Sequence, residues 1–168
     1  VAIPTREEVW KNETLNRFYE ENDIHYLTAA IITKTNGPYP NTSAITFVLT
    51  DHCLLTLRQI VPTSFRQFGE RIVKKHRKFT SGACVLEGLL EEIINRVAYN
   101  AENVVSALDA LSHDVFGMDA LDKKKGQVTT AKMKDILMEL GKNADLNSKI
   151  NESLHSLARL VDYFFQVN

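Results

Sequence analysis

Polar and apolar positions follow two different periods along this chain. Leu15 to Glu20 and His25 to Thr35 read as strands, with Glu21-Asn22-Asp23 as the hairpin turn between them. Ala44 to Leu49 and Leu54 to Ile60 form a second strand pair that turns at Asp51-His52. Ile45, Thr46, Phe47, Val48 and Leu49 suit a half-buried pleated surface. Between the pairs, Asn36-Gly37-Pro38-Tyr39-Pro40-Asn41 is punctuated by Gly and Pro and reads as a loop. Residues 15–60 are therefore expected to be antiparallel sheet. Ahead of them, Thr5 and Glu8 make a capping box that predicts a short helix through Trp10.

After Pro62 the period becomes helical. Ser64 with Gln67 is a second capping-box pattern and opens a helix through about Phe79. From about Ser81, apolar residues at Val97, Ala101, Val104, Leu108, Leu111 and Val115 alternate four and three apart. That spacing belongs to a coiled-coil seam or a long antiparallel helix pair. Gly117 to Gln127, with Lys123-Lys124-Lys125-Gly126, is the expected break. Thr129 to Leu140 then reads as a shorter helix ending at Gly141, a C-cap residue. Asp145 is expected to cap a last helix whose seam is Leu146, Ile150, Ser153, Leu157, Leu160 and Phe164. The class is α+β: sheet first, long helices second.

Composition narrows the function. With 20 Lys+Arg against 21 Asp+Glu and a formal charge of −1, the chain lacks the basic excess of a nucleic-acid binder. Lys74-Lys75-His76-Arg77-Lys78 is a basic cluster, best read as a solvated helix face, with an anionic membrane surface as the more interesting option. Cys53 and Cys84 make neither a CxxC pair nor a disulfide framework, so a reducing compartment is expected. No run approaches the roughly 18 apolar residues of a membrane span, and no signal peptide opens the chain. The missing initiating Met points to a piece of something longer.

Catalytic signatures are absent: the chain has no GxSxG, HExxH, GxxxxGK[ST] or GxGxxG. No enzyme activity and no organic cofactor are expected. The five His, His25, His52, His76, His113 and His155, read as structural or solvated. Carboxylates remain. Glu7 and Glu8 open the chain, and Glu87, Glu91, Glu92, Glu102 and Asp109 follow on the long helix. Glu87 and Glu91 are four apart and share a helix face. Such oxygen groups suit a hard cation such as Mg²⁺, which keeps several waters and takes one or two carboxylates.

Several segments together resemble the cytoplasmic domain of a CorA-family divalent-cation transporter. Ile3-Pro4-Thr5-Arg6-Glu7-Glu8 resembles the family's opening turn. Ala44 to Arg58 resembles its hairpin, in which an FVLT strand returns as an LVTvR strand. Leu89-Leu90-Glu91-Glu92-Ile93-Ile94-Asn95-Arg96-Val97 resembles the stretch that often ends in Asp-Arg. Leu146 to Leu154, followed by Leu157-Ala158-Arg159, resembles the start of the stalk helix.

The resemblance implies an α/β/α layered domain with a largely antiparallel sheet. Residues 1–80 would form part of the α/β body, and 81–168 the long helices ending in the start of the stalk, with the transmembrane part following Asn168. It implies a homo-oligomer, a pentamer in the full-length protein, on the cytoplasmic side of the bacterial inner membrane. There Mg²⁺, or Co²⁺, bound between protomers would regulate a channel. Glu7 or Glu8 matches the family's acidic position, and Asn95 stands where the family usually has Asp, leaving a neutral oxygen ligand. Gly117-Met118-Asp119 mimics part of the family's Gly-Met-Asn pore signature but lies between polar helices. The alternatives are a ZntB-like zinc transporter domain, for which Cys53 and Cys84 offer few soft ligands, and a stand-alone helical interaction module.

Overall fold

A computed structural model describes residues 17–34, 40–75, 79–121 and 130–167. Strands β1 (Phe18–Glu21), β2 (Ile24–Lys34), β3 (Asn41–Leu49) and β4 (Leu54–Arg58) form a fully antiparallel meander in the order β1-β2-β3-β4. Helices α1 (Thr63–Lys75), α2 (Gly82–Leu121) and α3 (Thr130–Val167) follow. The α+β class is as expected. The helix expected through Trp10 lies outside the described residues, so the described part is a sheet with its helices on one face. No helix among the described residues is long and apolar enough to cross a membrane.

The hairpins follow from local chemistry. Asn22 and Asp23 both adopt positive φ, 52° and 58°, the pattern of a two-residue turn matched to strand twist. Glu21 is therefore a strand residue opposite Ile24 rather than part of the turn. β3 opens at Asn41, three residues before the expected Ala44, because Thr42 and Ser43 continue the ladder opposite Ile32 and Ile31. β4 stops at Arg58, short of Ile60.

Pleating sends Leu27, Ala29, Ile45, Phe47 and Leu49 to one face, where all five are buried. They share one core cluster with Leu86, Leu89, Ile93 and Val97 of α2 and with Ile150, Leu157, Leu160 and Phe164 of α3. On the opposite face Tyr26, Thr28, Thr46 and Val48 are also buried, and the Thr28 and Thr46 hydroxyls bond across the strands at 2.9 Å.

Several helix boundaries differ from expectation. The carbonyl of Pro62 accepts from the Phe65 and Arg66 N–H groups, so α1 starts before Ser64, which sits buried in the first turn. α1 is described through Lys75, and Phe79, its expected end, is not helical. α2 runs through the expected break at Gly117 as far as Leu121. Gly141 and Asp145 terminate and cap nothing: α3 is continuous from Thr130 to Val167. A seam at Ile136, Asn143, Ile150, Leu157 and Phe164, seven residues apart, passes straight across Gly141. Burial along that seam outweighs the ~1 kcal/mol cost of a mid-helix glycine. Ser81, where the helical pattern was expected to begin, caps α2, its hydroxyl accepting the Cys84 N–H at 3.2 Å. Gly82 is obligatory beside it, since a Cβ there would lie 2.5 Å from the Thr50 carbonyl oxygen in the β3–β4 turn.

α2 and α3 pack as an antiparallel pair whose far ends extend beyond the sheet. Leu108, Leu111 and Val115 of α2 line a cleft of about 220 Å³ with Ile136 and Leu140 of α3. At the sheet end, α3 also covers an edge. β1 pairs only with residues 24–27 of β2, which leaves the outward N–H groups of Ala30 and Ile32 without a strand. Ser156 and Ser153 accept those two hydrogen bonds at 2.8 and 3.3 Å. Leu146 to Arg159, which the sequence resemblance places at the start of a stalk, here contributes Ile150 and Leu157 to the core.

Candidate cation-sensing face

The outward surface of α2 follows from its inward one. Leu86, Leu89, Leu90, Ile93, Val97, Asn100 and Val104 are buried at helical spacing, so the opposite face carries Glu87, Glu91, Asn95, Glu102 and Asp109, all exposed. Asn95 lies four residues after Glu91 and seven before Glu102, in the middle of an acidic stripe. Ile94, Tyr99 and Val105 on the same side are also exposed, and the Arg96 guanidinium covers the Tyr99 ring at 5.1 Å. A neutral amide oxygen flanked by carboxylates can contribute one ligand to a hydrated hard cation.

The acidic pair is not free for that role throughout. Arg71 of α1 reaches Glu91 at 3.4 Å and Glu92 at 3.1 Å, and donates to the Gly88 carbonyl at 3.4 Å. A guanidinium thus already pairs with Glu91, one member of the Glu87 and Glu91 pair that shares a helix face. At this degree of exposure each such pair contributes under ~1 kcal/mol, and its effect is mainly to fix α1 against α2. Periodicity along one helix cannot reveal it, because Arg71 arrives from another element.

Glu7 and Glu8 lie outside the described residues, so Asn95 is the described member of the expected site. Among the described residues no three His, Cys, Asp or Glu side chains gather closely enough to hold a metal ion. His113 and Asp114 are exposed on the far part of α2. His25 packs its ring edge against Tyr163 and lies 3.8 Å from Glu20, in line with its structural reading. Burial, with Glu20 nearby, raises the Tyr163 phenol above its ordinary value. Cys53 and Cys84 are free thiols. Hydrogen bonds from Ser81 and Thr80 lower the Cys84 thiol below its ordinary value. The buried Asn100, whose Nδ2 has no hydrogen-bond partner among the described residues, is not singled out by its sequence context.

No family model matches the chain. The magnesium transport protein CorA of Wolinella succinogenes is 23% identical over 163 residues, 95% of this chain. The resemblance to the CorA family stands. The matched stretch is 47% of that relative, so the chain spans about half its length. Among solved structures, the ZntB cytoplasmic domain from Vibrio parahaemolyticus aligns over 98% of this chain and 78% of its own, with a TM-score of 0.50 and 13% identity. That likeness concerns the fold: a four-stranded antiparallel sheet with long helices, as in CorA and ZntB cytoplasmic domains.

Proposed function

We propose that this chain is the cytoplasmic, cation-sensing domain of a CorA-like Mg²⁺ transporter, with Co²⁺ as a second ion. The match over 95% of this chain to about half of a magnesium transport protein carries the reading. In it, copies assemble as a homo-oligomer, a pentamer in the full-length protein, on the cytoplasmic side of the bacterial inner membrane. Membrane helices follow the present chain, residues 1–80 belong to the body, and residues 81–168 lead into the stalk. Glu7, Glu8 and Asn95 are the proposed ligands, completed by a neighbouring copy.

The mechanism is electrostatic and needs no covalent step. Carboxylates facing each other across two copies repel until a divalent cation sits between them. Cation loss then shifts the assembly toward a looser state by as much as the cation's differential affinity for the two states. The outward, unburied placement of Asn95 within an acidic stripe supports this, since a shared ligand has to be presented to another molecule. Replacing Asp by Asn95 removes one charge and weakens the repulsion.

Millimolar Mg²⁺ is expected to raise the melting temperature of the chain only slightly and to shift the amide resonances around Asn95. Asn95→Asp should enlarge both effects. A tight stoichiometric Mg²⁺ site in calorimetry would contradict a shared site, and tight Zn²⁺ binding through Cys or His would favour the zinc reading. Glu8→Ala is expected to cost up to ~1 kcal/mol from capping alone, so its melts are compared with and without Mg²⁺.

A further inference from the structure

The two long helices are held together over only part of their length. On α2 the buried positions end at Val104, and on α3 they begin at Asn143. Beyond those two, no described side chain of either helix is buried. Leu108, Val115 and Leu140 line the cleft between the helices and are 37%, 38% and 47% exposed. Toward the sheet the packing is complete: Val97, Ile150, Leu157 and Leu160 are each 2% exposed or less. There the Ser153 and Ser156 hydroxyls also tie α3 to β2.

Asn143 stands at the boundary, and two features of α3 loosen the helix there. Gly141 gives the backbone its widest conformational freedom and is less stable than alanine in a helix interior. A Cβ at this position would meet nothing within 4 Å, so no contact requires glycine there. The Asn143 side chain is turned back onto its own helix, its Nδ2 donating to the Glu139 carbonyl at 3.0 Å. In a regular α-helix that carbonyl is also the acceptor for the Asn143 backbone N–H. The side chain can therefore keep the Glu139 oxygen satisfied when the backbone bond opens. α2 has neither glycine nor proline between Gly88 and Gly117, so nothing comparable loosens the opposite wall.

We propose that residues 139–143 are a hinge, about which the Thr130–Leu140 part of α3 swings off and onto α2 as a flap. In the closed arrangement Ile136 and Leu140 lie against Leu108, Leu111 and Val115. In the open one α3 bends at Gly141, the Glu139 carbonyl keeps the Asn143 amide, and the part from Leu146 onward stays fixed to the sheet. A segment with no buried side chain and a weakened helix ladder belongs to the low-stability end of a molecule.

Paired spin labels test this in the full chain, with Cys53→Ser and Cys84→Ser as background. One pair, Asp109→Cys with Lys134→Cys, spans the cleft. A reference pair, Ala98→Cys with His155→Cys, spans the anchored part, and all four positions are exposed. The distance distribution across the cleft is expected to be roughly twice as broad as the reference or more. Gly141→Ala and Asn143→Leu should each narrow it toward the reference. In hydrogen exchange, the Asn143 amide should exchange faster than that of Ile150, and Gly141→Ala should slow it by roughly fivefold. Equal widths for the two pairs overturn the hinge, as does a width that both substitutions leave unchanged. A broad distribution with an Asn143 amide as slow as that of Ile150 also overturns it, since the helices would then part without bending. Circular dichroism checks that each variant is folded, and Gly141→Ala, whose Cβ meets open space, is the variant least able to disturb folding.

Discussion

The two edges of the sheet are finished in opposite ways. Along β2, where β1 ends early, the serine hydroxyls of α3 accept the outward N–H groups, and the edge is closed by the chain's own helix. Along β4, a strand of five residues with Arg58 at its end, the outward groups have no partner among the described residues. An unpaired edge invites another strand, and proteins blunt it by covering it or by keeping it short and charged. This fold uses the first device on one side and the second on the other. The covered edge places two buried serines on α3 among the buried Ile150, Leu157, Leu160 and Phe164. Ser153 is fully buried, so its hydroxyl stabilises the fold only because Ile32 needs an acceptor.

Perturbations ordered by size separate these roles. Gly82→Ala should be the most damaging, at about 3 kcal/mol, because its Cβ meets the Thr50 and Cys53 carbonyl oxygens, which cannot rotate aside. Urea unfolding measures this, and a loss below ~1 kcal/mol would mean that the turn before β4 is easily displaced. Next come Ser153→Ala and Ser156→Ala, each expected to cost about 1–3 kcal/mol by orphaning a backbone N–H. Exchange at Ile32 should accelerate in the first variant and at Ala30 in the second. If both variants are neutral, the covered edge owes nothing to the serines.

The smallest effect concerns reactivity. Cys84, beside the Ser81 cap, has its thiol lowered by hydrogen bonds from Ser81 and then Thr80. A lower value means more thiolate at a given pH. Its alkylation should therefore reach half-maximal rate at a lower pH than that of an unperturbed thiol, and Ser81→Ala should move the midpoint upward. An unchanged midpoint would remove the hydroxyl as the cause.

Much of this was legible in the chain. Alternation, with turn signals at Glu21-Asn22-Asp23 and Asp51-His52, identified both hairpins, and spacing by three and four identified the seams of the long helices. The resemblance to the CorA family followed from segments in order along nearly the whole length. The errors cluster where a local signal competes with distant packing. Gly141 looks like a helix end, yet the seam through Asn143 and Ile150 carries the helix across it. Glu87 and Glu91 share a helix face, yet Glu91 is already paired with Arg71 from another element. Asn95 was correctly placed on the long helix, but only the buried face of α2 shows that it points outward.

The sequence by itself determined the class, the strand and helix order and the seams, because pleat and helical periods are short-range properties written into neighbouring residues. The tertiary structure alone decided which edge is covered, which carboxylates are paired and where the long helices continue. The bonds from Ala30 and Ile32 span 126 and 121 residues, and no local period encodes a contact of that separation.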